Sequence, residues 1–458
     1  MMTDRTHAAL ALALLLWATG ASAEPLRSAV ESAVTTNPEI LAAEAEARGA
    51  AYEVLQLQSE YIPAVRLYGE VGPQYVNDPS NLSPEDNQDW KISRTLGIEA
   101  EVVLFDGFRR ANLVYASAAR VDGNIYRLMD ASETMALNAT EVYIDVYRHR
   151  GLVAAAEANL ERHRAIAAQV AELVDGGRLP LSDRLQVEDR VRAAELALIE
   201  VRRALEDANA RYARIVGRPP SGPMSVPVLS GLPDNSTSLV ASAVQRSYRV
   251  RVAETELNSA GYAQEIVEAD RAPRVTLNAG GRYGEDVDGA SGADNDLYLA
   301  LRFNWTLYQG GRTPQSRALI EARSKAMSDR NVAIREVREL AERTWNAYRA
   351  NGQAARVLAD QLASSQSLVD QFRSEFEAGT RSLLDVLEAE RVRFDVEFEK
   401  LSADASYAFA TYRLLAVESR LAQHFGVAPS NMPFEANFES RALASPQSVF
   451  KTAIPALE

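Results

Sequence analysis

Leu297-Tyr298-Leu299-Ala300-Leu301-Arg302-Phe303-Asn304-Trp305-Thr306 alternates without a break. Leucine, phenylalanine and tryptophan take the odd positions, and a period of two puts them on one face of a strand. Three other segments repeat the pattern. Val65, Leu67, Val71 and Tyr75 oppose Arg66, Tyr68, Glu70 and Gln74. Leu96, Ile98, Ala100, Val102 and Leu104 oppose Thr95, Gly97, Glu99 and Glu101. Val275, Leu277, Ala279 and Tyr283 oppose Arg274, Thr276, Asn278 and Arg282. We place these strands at 62–76, 92–106, 274–284 and 296–308. Each has the length of a tilted membrane strand, roughly 9–11 residues. The apolar face would then meet lipid and the polar face a wet lumen. Trp90, Trp305 and Tyr308 stand near strand ends, where an interfacial aromatic belt is expected. A soluble sheet with half-buried strands would alternate in the same way.

Four strands do not close a barrel. Unpaired backbone groups are too costly in lipid, and about eight strands is the minimum for closure. If these strands span a membrane, several copies of the chain must share one barrel.

The strands belong to a plan that is stated twice. Asn37-Pro38-Glu39-Ile40-Leu41 is echoed by Ser247-Tyr248-Arg249-Val250-Arg251, and Tyr61-Ile62-Pro63-Ala64-Val65 by Arg271-Ala272-Pro273-Arg274-Val275. Leu104-Phe105-Asp106-Gly107-Phe108-Arg109 matches Leu307-Tyr308-Gln309-Gly310-Gly311-Arg312, so Gly107, Gly310 and Gly311 mark strand-to-helix turns. Gly177-Arg178-Leu179-Pro180-Leu181-Ser182-Asp183 matches Gly379-Thr380-Arg381-Ser382-Leu383-Leu384-Asp385, so Gly177 and Gly379 mark helix-hairpin tips. The organisation read from this is a first repeat over 24–216, with a helical hairpin from 111 to 217, and a second repeat over 236–426, with a hairpin from 312 to 425. A Pro/Gly-rich linker at 217–235 joins them, and a tail at 427–458 has no regular structure. Each repeat opens with one helix, about Leu26 to Glu60 and about Leu239 to Asp270.

The long segment from about Ala111 to Asp175 carries a seam at alternating steps of four and three: Val142, Val146, His149, Val153, Ala156, Leu160, His163, Ala167, Val170 and Val174. Val187, Val191, Ala194, Leu198, Val201, Leu205, Ala208, Tyr212 and Ile215 repeat it, as do Ala355, Leu358, Leu362, Ser365, Val369, Phe372 and Phe376. About 65 helical residues reach on the order of 100 Å. The expected fold class is α+β: if the strands span a membrane, they are contributed to a shared transmembrane barrel, and the long antiparallel coiled-coil helices would continue it as a tunnel. A plain antiparallel coiled coil without a lumen, such as a periplasmic adaptor or structural protein, buries the same stripe.

The bulk numbers narrow the function. The formal charge of −14 argues against nucleic acid, since phosphate binding wants Lys and Arg. Residues 1–23 read as a secretory signal: Arg5 and His7, an apolar run from Ala8 to Trp17, then Ala21-Ser22-Ala23. The absence of cysteine excludes a disulfide framework and predicts a mature chain without an acylated N-terminal cysteine. Of the four histidines, His149 and His163 hold seam positions too far apart to share a metal, His7 is in the signal and His424 stands alone. No nucleophile motif or phosphate loop is present, so no enzyme and no cofactor is expected. The acids of the Glu285–Asp296 connection fit a polar exposed loop better than a calcium loop.

Together the doubled plan, the Phe105 and Tyr308 turns, and Gly379-Thr380-Arg381-Ser382-Leu383-Leu384-Asp385-Val386-Leu387-Glu388-Ala389 resemble the TolC family of outer-membrane efflux and secretion proteins, from about Leu26 to Gly426. The resemblance implies a homotrimer in the outer membrane of a Gram-negative bacterium, with a large periplasmic portion. Its partners would be outer-membrane lipid, an inner-membrane transporter of ABC or RND type, and a periplasmic membrane-fusion adaptor. It implies that Asp385 and Glu388 line the closed periplasmic entrance, as stacked carboxylate rings that attract cations and raise each other's pKa values. It also implies a latch between the tip turns, from Arg381 to Asp183 and Ser182. Phe376 stands where some family members carry tyrosine, which removes a second link to Asp183. The missing lipid-anchor cysteine favours the unacylated members, including those of type I protein secretion.

Overall fold

The computed structural model describes residues 24–429 and 435–447. The expected signal segment and part of the expected tail lie outside these residues. The chain divides into two compact units. One is built from residues 24–44, 128–248 and 334–429, the other from 45–127, 249–333 and 435–447.

The element order is given twice. α1 (Leu26–Thr36), α2 (Pro38–Ser59), β1 (Ala64–Tyr75), β2 (Trp90–Phe105), α3 (Arg109–Asp175) and α4 (Leu181–Val216) form the first round. α5 (Ser236–Arg246), α6 (Tyr248–Ala269), β3 (Arg274–Glu285), β4 (Ala293–Asn304), α7 (Arg312–Glu377) and α8 (Leu383–Val417) form the second. Lengths match closely, with 67 residues in α3 against 66 in α7 and 36 in α4 against 35 in α8. α9 (Leu421–Phe425) and α10 (Phe438–Ala444) follow.

The opening helix of each repeat is broken in two. Asn37 is extended, because the residue before Pro38 is pushed out of the helical region, and its side-chain amide donates to Ile215 O at 3.1 Å. Ser247 breaks the second helix at the matching place without a proline.

In the unit that holds the sheet, the strands run in the order β1-β2-β3-β4, all antiparallel. The strands end where their ladders end. Tyr75 pairs with Trp90 and Glu285 with Ala293, whereas beyond Asn304 the chain has no strand to pair with. Among the described residues the outer edges of β1 and β4 pair with nothing.

The burial of this sheet is inverted relative to a soluble one. Leu297 is 91 % exposed, Leu299 73 % and Leu67 71 %, while Thr276 and Asn278 on the polar face of β3 are buried. Asn278 Nδ2 donates to Thr276 Oγ1 at 2.9 Å, so the enclosed face is hydrogen-bonded. A half-buried soluble sheet would hide the leucines instead. Aromatic pairs sit at both ends of the outward face, Tyr75 with Trp90 and Phe303 with Trp305. Among the described residues, no helix is long and apolar enough to cross a membrane.

The acids of the β3–β4 connection are partnered by protein groups. Arg282 holds Asp294 at 2.8 Å and also Asp296, and Arg94 holds Glu285 at 3.2 Å. At the β2–α3 turn Gly107 and Phe108 take left-handed φ values of 66° and 68°. Asp106 accepts from Arg110 Nε at 2.7 Å, and Arg110 also donates to Glu60 O and Val103 O. The β4–α7 turn, with Gly311 at φ 88°, has a lighter tie from Arg312 to Gln309.

In the other unit α1 and the start of α2 pack on α3, α4, α8 and α9 through Leu26, Val30, Ile40, Tyr143, Tyr212, Tyr412 and Phe425. Here the segment at 217–235 packs against the helices. Met224 and Ser225 pair with Glu24 and Pro25 in a short parallel bridge. Ser225 is bonded to the Tyr143 hydroxyl, and Tyr412 Oη donates to Pro227 O at 2.8 Å. Buried phenols need partners, and this segment supplies them.

The tail departs from the reading of 427–458 as irregular, since α10 lies within it. Phe438 is buried, and Asp122 accepts from Phe438 N at 2.8 Å and Glu439 N at 2.9 Å. Similarly, Glu133 accepts from Leu421 N and Ala422 N at the start of α9. Each short helix is thus capped by a carboxylate on α3 rather than by its own sequence, and that is why local signals missed it.

Candidate functional site

Both hairpin tips are built in the same way. At the end of α3, Gly177 N donates to Val174 O and Arg178 N to Leu173 O; at the end of α7, Gly379 N donates to Phe376 O and Thr380 N to Glu375 O. This pair of bonds closes a helix with a left-handed residue, here Gly177 at φ 70° and Gly379 at φ 78°. A side chain at either position would strain that turn.

α8 is capped by Ser382, whose hydroxyl accepts from Asp385 N and donates to Asp385 Oδ2 at 2.8 Å. Asp385 therefore lies at a helix N-terminus, where the dipole favours an anion. Glu388 follows one turn on and is paired with Arg391, Oε1 to Nη2 at 2.5 Å. The hydrogen bond from Arg391 holds the Glu388 carboxyl below its usual value. Within one chain this shift is opposite to the rise expected for stacked carboxylate rings. Both side chains remain about half exposed.

Arg381 does not reach Asp183 or Ser182 within the chain. Its guanidinium binds Glu375 at 2.8 Å, lies 3.8 Å from Asp385 and stacks over the Phe372 ring at 4.0 Å. Ser182 donates to its neighbour Asp183 at 3.4 Å. Phe376 packs with Ile166, Val170, Val187, Leu383 and Leu387 in an apolar cluster that joins α3, α4, α7 and α8.

Two groups near the tip were not singled out from sequence. Arg184 ties the first tip together, donating to Asp175 Oδ1 at 2.7 Å and to Ala171 O at 3.2 Å. Glu390, fully buried, meets Arg373 and Arg393 at 2.8 Å and Arg162 at 3.5 Å, while Arg162 also approaches Glu397 at 3.6 Å. One carboxylate thus joins α3, α7 and α8. The signal was legible: Leu383, Val386, Leu387 and Glu390 follow seam spacing, so an acid holds a core position with Arg393 one turn away. His149 and His163 are buried seam residues whose Nδ1 atoms bond the carbonyls of Asp145 and Asn159.

Residues 29–218 and 239–417 match the sequence profile of the outer membrane efflux protein family. The chain belongs to that family. The gap between the matched stretches takes in most of the linker at 217–235, so each repeat carries its own match. The outer membrane efflux protein BepC of Brucella suis is 27% identical over 339 residues, covering 73% of this chain and 74% of BepC. The alkaline protease secretion protein AprF of Pseudomonas aeruginosa is 24% identical over 335 residues, covering 70% of this chain and 68% of AprF. In fold, the chain is similar to the Campylobacter jejuni CmeC outer membrane channel, with a TM-score of 0.74 at 14% identity over 93% of this chain and 90% of that one. This efflux-family chain is therefore an outer-membrane exit channel of a Gram-negative cell: its four strands contribute to a barrel, and its long helices form a periplasmic tunnel.

Proposed function

We propose that three copies of this efflux-family chain close one barrel and one tunnel, and that the duct carries cargo handed over by an inner-membrane transporter, of ABC or RND type, through a periplasmic adaptor. The observation that carries the reading is the sheet, whose apolar face is bare and whose two edges are unpaired. β1 and β4 run in opposite directions, so β4 of one copy can pair antiparallel with β1 of the next. The cargo reading is protein export of the type I kind, supported by the likeness to AprF; small-molecule efflux, supported by the likeness to BepC, is the second reading. No enzymatic step is needed, because the duct only guides cargo released to it.

The gate in this proposal is formed by Asp385 and Glu388 around the common axis, with Arg381 of one copy exchanging Glu375 for Asp183 and Ser182 of its neighbour as the latch. An Arg–carboxylate link is directional and can be broken. Single-channel recording in a planar bilayer tests this. Wild type should give a small, cation-selective conductance. The Asp385→Ala, Glu388→Ala variant should lose selectivity and pass a larger current. A selective channel indifferent to both substitutions would remove the gate from these residues, and a folded sample with no conductance would remove the duct.

A further inference from the structure

The enclosed face of the sheet carries two tyrosines, and both lie down on a glycine. Tyr68 of β1 is directly opposite Gly97 of β2, and Tyr298 of β4 is directly opposite Gly280 of β3. A Cβ at Gly97 would sit 2.6 Å from Tyr68 Oη and 2.7 Å from its Cε1; one at Gly280 would sit 2.7 Å from Tyr298 Oη and 2.8 Å from its Cε1. Ordinary non-bonded contacts are ~3.5–4.0 Å, so each ring occupies the space that any other residue would fill. Rings laid over strand glycines in this way are a known means of covering bare backbone. The two pairs arise independently in the two repeats, and in each the ring points from an edge strand towards the middle of the sheet.

The charged side chains of the same face also run along the wall. Arg66 reaches across to Glu99 at 3.1 Å, and Arg282 to Asp294 at 2.8 Å. Long polar side chains on this face are therefore held by neighbours on adjoining strands.

We infer that Gly97 and Gly280 are size-determining residues of the channel: by letting Tyr68 and Tyr298 lie flat, they keep the barrel lumen wide enough for bulky cargo. The inference rests on the reading of this face as lumen. A methyl group at either glycine cannot coexist with the flat ring. The ring would have to lift off the wall, by tilting or by taking another staggered rotamer. The added methyl itself projects far less than the displaced phenol, so narrowing would come from the tyrosine.

The test is exclusion of graded polyethylene glycols added to the external side of single channels. That side reports on the barrel whatever the state of the periplasmic entrance. In the Gly97→Ala, Gly280→Ala variant the largest polymer that enters should fall by at least one member of the series. Adding Tyr68→Ala and Tyr298→Ala to that variant should restore the wild-type cut-off or exceed it. An unchanged cut-off in the glycine variant, or narrowing that persists without the tyrosines, would overturn the inference while leaving the duct intact. Absence of any wild-type channel would overturn the duct itself. If the double glycine variant does not assemble, Gly280→Ala alone, with and without Tyr298→Ala, reads the same effect on one pair.

Discussion

Replacing Glu390 by alanine should loosen the hairpin tips. The carboxylate is completely buried and faces three arginines from three helices. Taking away one side of a buried ion pair costs about 3–5 kcal/mol, chiefly because the remaining charge keeps its burial and loses its partner. Here three cations would be left together. Water already reaches them in part, since Arg373 is 41 % exposed, Arg162 23 % and Arg393 14 %. Screening therefore puts the cost at the lower end, ~3 kcal/mol. At about 1.4 kcal/mol per factor of ten, local opening should become on the order of 10² more frequent. Hydrogen exchange of the detergent-solubilised protein, followed peptide by peptide, measures this directly. Protection should drop by about two decades in the segments around Arg162, Arg373 and Glu390, with much less change in the sheet. Glu390→Gln, which keeps the shape, should fall between wild type and alanine. Tip peptides that exchange at the wild-type rate in the alanine variant would refute the idea that this ion cluster holds the hairpins together.

Leu301→Lys puts a charge on the bare face of β4, where Leu301 is 66 % exposed in the single chain. Near the bilayer midplane such a change costs ~2–4 kcal/mol, so yield of assembled protein in liposomes should fall, whereas Ala300→Lys on the opposite face should assemble normally; equal yields would contradict the lipid assignment. Burial pushes the Glu133 carboxyl up to about 7, with nearby Asp130 adding to the rise and the bonds from Leu421 N and Ala422 N opposing it. A folded-state value above the ordinary one means stability that is complete below about 4.5 and is lost as pH rises through about 7. The thermal midpoint should accordingly decline across that window, and Glu133→Gln should flatten the decline; an identical slope in both proteins would show that Glu133 is not its source.

Much of this fold could be read in advance because its elements are long and periodic. Strict alternation from Leu297 to Trp305 and the seam from Val142 to Val174 each repeat one signal over many residues. The turn glycines stand at the ends of those signals. What escaped depends on contacts between distant segments. No local feature announces α10, because its first N–H groups are satisfied by Asp122, more than three hundred positions earlier. The prolines of 217–235 mark a linker, and only the hydroxyls of Tyr143 and Tyr412 reveal that it is packed. The candidate gate divides in the same way. Asp385 and Glu388 were legible from helical spacing, but the grip of Glu375 and Phe372 on Arg381 depends on how the tip turn folds back onto the last turns of α7.

The bare edges of β1 and β4 have a genetic consequence. A barrel shared among chains has no private part, so a damaged edge strand spoils the neighbouring copy's edge as well as its own. A chain disabled only in β4 would still offer a sound β1 and would be recruited beside intact chains. Mixed assemblies would then carry an open seam whose backbone groups face lipid. Such alleles should behave as dominant poisons. A chain that is never made removes only itself and should be recessive.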